Sequence, residues 1–211
     1  PLKDLDQTVL EGESPKSTKT QETRTVCHAT LQDPKLYSFL LLIDQDLAAQ
    51  TRSAGCSCGG VLHSARYPRK PRGAPRGLRE QFQSRLSFCC AVCRQRSTPE
   101  SVCYLGRRVY LGAVVVLASA MRNGLSANRE RRLTETLRVP RRTLERWRLW
   151  WLETFVETSF WKGACARFMP PVEIGALPAS LLVRFSGEDL RVRLIESLRF
   201  ISPLSTLGGG A

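Results

Sequence analysis

The sequence predicts a mainly α-helical protein that carries a cysteine-rich, metal-built segment, then a three-helix unit, then a small helical region. Three observations lead there. Cysteines gather in two close sets, Cys56-Ser57-Cys58 and Cys89-Cys90-Ala91-Val92-Cys93. Apolar residues from Leu125 to Phe155 recur at three- and four-residue steps, the spacing of a buried helical face. The formal charge of +13 is confined to the middle of the chain.

The expected organisation follows the chain. Residues 1–32 are rich in Lys, Glu, Ser, Thr and Gln and read as a disordered tail with a polar start and no signal-peptide pattern. Cys27-His28 inside it reads as incidental. A packing helix is expected within 33–55, capped by Asp33 and started by Pro34. Its core, Lys35–Gln50, sets Leu36, Phe39, Leu40, Ile43 and Leu47 along one side. Residues 56–106 form a zinc-ribbon-like basic segment, 107–162 a helix-turn-helix domain and 163–211 a helical C-terminal region.

Tetrahedral zinc is commonly held by two turns, each offering a close pair of thiolates. Cys90-x-x-Cys93 has the usual spacing, and Cys56-x-Cys58 is one residue tighter. The ligand set expected is therefore Cys56, Cys58, Cys90 and Cys93, with Cys89 open as a substitute for Cys90 and His63 for one thiolate. Four thiolates close the coordination sphere, so the Zn2+ expected is structural. Unligated core cysteines, or a redox Cys-x-x-Cys, are the competing readings.

Between the two cysteine sets lies an Arg-, Pro- and Gly-rich excursion from Ala65 to Gly77. Proline removes donors and glycine resists a fixed conformation, so neither a helix nor an inner strand is expected. An extended strip bearing Arg66, Arg69, Lys70, Arg72 and Arg76 suits a phosphate backbone or a narrow minor groove. A solvated loop is the plainer alternative.

Arg107–Met121 reads as a largely buried helix ended by Asn123-Gly124. Leu133 and Leu137 mark the next helix. Leu144, Trp147, Trp151 and Phe155 mark the one after it, with Pro140 expected in its first turn. Arg141, Arg142, Thr143, Glu145 and Arg146 fall near the start of that last helix. A short helix, a tight turn and an apolar-backed helix with basic residues at its start describe a helix-turn-helix, against the alternative of an ordinary αα-hairpin. Two further helices are expected at Pro178–Phe185 and Glu188–Phe200, with a frayed end from Pro203.

The charge distribution narrows function. Residues 1–50 carry a net −3, residues 51–110 a net +10, residues 111–148 a net +6, and residues 149–211 balance. Lys70 is the sole lysine between 51 and 148, and arginine forks suit phosphates and guanine edges. Double-stranded DNA is the expected partner, and the neutral C-terminal helices suit a protein contact. The apolar runs are too short to span a bilayer, so a cytoplasmic, nucleoid-associated location is expected. No enzyme is expected. The chain has two histidines and no aspartate between Asp46 and Asp189, and no histidine accompanies Tyr67, Tyr104 or Tyr110.

Val139, Thr143, Leu144, Arg146 and Trp147 resemble the recognition-helix opening "V-S-x-x-T-L-x-R-W" of transposase-type and homeodomain-like proteins. Pro140 stands where those proteins carry a capping serine. The pieces "CGG", "YPRKPRG", "CCxxCRxR" and "YLGRRVYLG" are similar to small zinc-binding proteins encoded with bacterial mobile elements. The resemblance implies a DNA-associated regulator or accessory factor of transposition. A zinc-stabilised RNA-binding module, or an adaptor that docks a transposase, would carry many of the same features.

Overall fold

In the computed structural model, residues 29–70, 72, 77–105, 110–122 and 127–206 are described. Cys27-His28, Arg76, Gly208–Gly210 and the Leu137 side chain lie outside them. The chain is mostly helical with a small sheet and a cluster of cysteines. A continuous apolar core takes residues from Leu31 to Leu204, and a second cluster of Ala48, Leu62, Phe88 and Cys90 lies under the cysteines.

Helix α1 spans Pro34–Ala54. The Asp33 carboxylate accepts from the Lys35 N–H at 3.0 Å, and Pro34 occupies the first turn, where its missing N–H is not needed. Gly55, at φ 73°, ends the helix. The buried stripe is Leu36, Tyr37, Leu40, Ile43, Asp44 and Ala48. Phe39, expected inward, is 46% exposed because it sits about 100° round the helix from Leu40. Tyr37 is buried instead, its hydroxyl donating to the Leu31 carbonyl. Residues 29–32, expected within the tail, form a helical turn with Thr30 and Leu31 buried.

Two small sheets follow. Strands β1 (Leu62–Ser64), β4 (Phe88–Cys90) and β5 (Arg96–Ser97) form one, in the order β1-β4-β5, all antiparallel. Strands β2 (Tyr67–Pro68) and β3 (Ser84–Arg85) pair as the other. The excursion is thus anchored at both ends. Arg72 also bridges to Tyr110, its carbonyl accepting from the Leu111 N–H.

Helix α2 runs from Gly112 to Arg122, not from Arg107. Tyr110 and Leu111 are held extended, by Arg72 and Tyr104 respectively, and cannot join it. At Gly112 an added Cβ would meet Leu198 Cδ2 and the Val102 carbonyl at 3.2 Å each, so a larger residue would press these segments apart by a few tenths of an ångström. Val114 to Ala118 are completely buried. Helix α3 (Ala127–Leu137) ends at Arg138 in the left-handed region, φ 51°. Val139 then fills the core, and α4 (Arg141–Leu149) begins. Pro140 is the N-cap residue of α4 rather than part of its first turn. Its carbonyl accepts from Thr143 at 2.8 Å, and no side chain caps the helix.

Beyond Leu149 the helix widens into a π turn over Trp150–Phe155. Helices α5 (Ser159–Ala164), α6 (Ala179–Leu182) and α7 (Leu190–Ile201) complete the chain. Helix α6 is shorter than expected, with Pro178 as its N-cap. Phe160, Trp161, Phe168, Phe185 and Phe200 form a ring-to-ring network among these elements. The expected frayed end is instead a docked turn at Ser202–Ser205, with Leu204 and Ser205 buried.

A buried polar group ties the segments together. Asp44 accepts from Ser101 Oγ at 2.6 Å and from the Val102 N–H at 2.7 Å. Ser205 Oγ accepts from the Ser101 N–H at 2.9 Å. Arg85, 3% exposed, donates to the Ser205 carbonyl at 3.0 Å, to Ser205 Oγ at 3.1 Å and to the Pro99 carbonyl at 2.9 Å. Burial pushes the Asp44 carboxyl up, against the pull of the Ser101 hydroxyl, and pushes the Arg85 guanidinium down. Truncating Asp44 strands a hydroxyl and at least one N–H in the core. Asp44→Ala should lower stability by about 3 kcal/mol and Ser205→Ala by about 1 kcal/mol, read from urea unfolding. A loss for Asp44→Ala no larger than that of exposed Asp46→Ala would contradict this account.

Candidate metal centre and basic surface

Two loops close on one point. In the first, the Gly59 N–H donates to the Cys56 carbonyl at 2.8 Å, with Gly59 at φ 79°. In the second, the Arg94 N–H donates to the Cys90 carbonyl at 3.2 Å, and Arg94 takes φ 61°. The Cys90 N–H meets the Gln95 carbonyl, and the Ala91 N–H reaches Val61 across the gap between loops. A Cβ added to Gly60 would lie 2.5 Å from Cys90 Sγ, so the first loop passes directly against a sulfur.

The sulfurs of Cys56, Cys58, Cys90 and Cys93 all lie within 4.8 Å of one another. Cys56–Cys93 and Cys56–Cys58 are separated by 3.5 Å, and Cys58–Cys90 by 3.4 Å. Thiolates around a tetrahedral zinc would stand about 3.8 Å apart. The arrangement is compatible with a metal held by four sulfurs. Cys89 stays outside it, because neighbours on a strand point to opposite faces. Its thiol donates to the Arg94 carbonyl at 3.4 Å instead. His63 pairs with Cys89 in the sheet and is exposed, and it does not join the cluster.

The surroundings push Cys90 and Cys93 in opposite directions. Backbone N–H groups of Cys93 and Val92 bring the Cys90 thiol down to about 6. The Gln95 N–H also lowers Cys93, but the sulfurs of Cys58 and Cys56 outweigh it and push Cys93 up to about 12. A dication would displace the retained protons.

The basic residues fall into distinct environments. On α4, Leu144 and Trp147 are buried, and Trp147 meets Tyr110 edge to face at 4.9 Å. Thr143 is also buried, its hydroxyl accepting from Arg146 Nη2 at 3.1 Å, so it does not stand with Arg141 and Arg142 on the exposed face. Arg141 pairs with Glu145 at 3.1 Å and Glu130 at 3.6 Å. Arg142, Arg146 and Arg148 are exposed and make no ion pair among the described residues.

In the excursion, Lys70 and Arg72 are exposed and Arg69 is half-buried. Arg69 stacks over Tyr67 at 5.1 Å and over Tyr104 at 5.7 Å. Arg96, which the sequence shows only as an extension of the same basic run, lies over Tyr67 at 5.8 Å. That contact joins β5 to β2 and follows no short-range sequence pattern. The bridge from Arg72 to Tyr110 links the excursion to the ring packed on α4.

No helix among the described residues is long and apolar enough to cross a membrane. No protein-family model, curated protein or solved structure matches the chain.

Metal analysis of purified variants tests the centre. Cys90→Ser and Cys93→Ser should lose a metal bound one to one, Cys89→Ser should keep it, and Gly60→Ala should weaken it. Loading should release protons and weaken as the pH falls. Equal metal content in Cys89→Ser and Cys90→Ser preparations, one unlike the wild type, would rule out this ligand set.

Proposed function

We propose that the protein is a DNA-binding protein with a structural zinc site, acting as a regulator or accessory factor of a mobile element. The reading treats the β1-β4-β5 sheet with its cysteine loops as a zinc-ribbon-like module and α2, α3 and α4 as a helix-turn-helix domain. The supporting observation is the α3–α4 unit. A three-residue turn at Arg138–Pro140 leads into a helix whose inner face is Leu144 and Trp147 and whose outer face bears Arg142, Arg146 and Arg148. A helix so supported can enter a major groove with its first residues toward base edges. Arg141 and Glu145 are mutually neutralised at an exposed site, where such a pair contributes little stability and can open to partners. Zinc is the metal that a closed set of four thiolates suits, and the closed set leaves no position for an activated water. The role near mobile elements rests on the sequence resemblance alone.

A second reading, an adaptor docking a transposase through its C-terminal half, draws on the exposed Met169, Ile174 and Val183. An RNA-binding module finds less support. Tyr67 is engaged by arginines and Tyr104 is buried, so neither offers a free face to a base.

Selection from a randomised duplex pool at about physiological salt tests the main reading, because nonspecific phosphate contacts weaken there. A recovered motif should bind the Arg142→Ala variant more weakly by about 1–3 kcal/mol, with relaxed preference at one position. A well-folded protein that enriches no sequence is not a specific reader, and the adaptor reading then takes precedence.

A further inference from the structure

Four cation–π contacts run in series from the core to the surface. Buried Arg85 lies 6.0 Å from the Tyr104 ring, Arg69 lies over Tyr104 and Tyr67, and exposed Arg96 lies over Tyr67. The inner end is fixed. Arg85 is hydrogen-bonded to Ser205 and Pro99, and the Tyr104 hydroxyl donates to the Phe82 carbonyl at 2.7 Å. In the middle, Arg69 Nη2 donates to the Tyr67 hydroxyl at 3.4 Å, and the Arg69 N–H meets the Gln83 carbonyl at 2.5 Å. The outer end belongs to the metal module. Arg96 stands opposite Cys89 on β4, one residue from the sulfur ligand Cys90, and the preceding Gln95 carbonyl holds the Cys90 N–H.

We propose that Arg96, over the Tyr67 ring, forms a sequence-independent contact to the phosphate backbone of duplex DNA. The metal-bound loop sets the outer arginine in place. The proposal rests on the DNA-binding reading and adds to it a second contact surface that reads no bases. Three arguments favour a polyanion here. Neighbouring guanidiniums on a shared stack repel one another, and Arg69 is among the charges that lower the Arg85 guanidinium. Phosphates relieve that repulsion. Exposed Arg96, placed over the Tyr67 ring, has already given up part of the rotamer freedom that ordering would cost. Tyr67 and Arg69 lead directly into Lys70 and Arg72, both exposed, and Arg72 is tied to the Tyr110 that packs on α4. The stack and the helix therefore belong to connected parts of one body.

The two contributions of Arg96 separate in a salt titration. Binding of a fluorescent duplex to the full-length, metal-loaded protein is followed from low to physiological salt. For Arg96→Ala, affinity should fall several-fold for every duplex sequence, and the slope of log K against log salt should shrink by about 0.9. Arg96→Lys keeps the charge but not the planar stack, so its slope should match the wild type while affinity still drops. Arg142→Ala should instead alter sequence preference. If Arg96→Ala matches the wild type in slope and affinity while Arg142→Ala loses the motif, the backbone contact is overturned and the DNA-binding reading stands. If the wild type binds no duplex, both fail.

Discussion

The buried polar group around Ser205 is the constraint on which the rest of the structure depends. Arg85 is buried, and its two terminal nitrogens donate to Ser205 and to the Pro99 carbonyl, which offsets much of the cost of leaving water. Asp44 is bound in the same way to the Ser101–Cys103 loop. Each side chain comes from a segment distant in sequence, so the hydrogen bonds can be made only when α1, β3, the 99–104 loop and the last turn are together. Apolar burial drives the collapse, with each fully buried Trp151 or Phe155 contributing about 1.5–3 kcal/mol. It does not by itself dictate which segments meet. The directional bonds supply that choice.

The same geometry sorts the arginines that sequence alone presents as one positive field. Arg85 is structural and spends its charge inside the protein. Arg141 is offset by two glutamates. Arg69 and Arg96 are stacked on rings, and Arg142, Arg146 and Arg148 stand in solvent. Among the described residues, the exposed positive charge therefore includes the α4 face and the edge beside the cysteine loops, with Lys70 and Arg72 also exposed.

What was legible in the sequence is what local rules control. The cap at Asp33, the apolar spacing of Leu144, Trp147, Trp151 and Phe155, and the two cysteine sets are each short-range patterns, and each reappears in the structure. The choice between Cys89 and Cys90 was not legible, because it depends on which face of β4 meets the first loop. The start of α2 was missed for a similar reason. Tyr110 and Leu111 suit a helix in isolation, yet bridges to Arg72 and Tyr104 capture them. Asp44 and Arg85 look like ordinary surface charges until their partners, more than fifty residues away, come into view. The same holds for Arg96, whose stacking partner Tyr67 lies on another strand.

The π turn at Trp150–Phe155 has a bearing on how α4 keeps its orientation. Thr143, Trp147, Trp151 and Phe155 are spaced by four, and all four are buried. In a helix of 3.6 residues per turn, a four-residue step advances the stripe by about 40° each time, so the last ring would swing well away from the first. A wider turn rotates less per residue, so the step from Trp151 to Phe155 adds little to that drift. The widened segment works as a phase corrector between two packing surfaces, one against α2 and one against the C-terminal aromatic network. Residue number within it, more than side-chain identity, then sets the angle at which the arginine face is held.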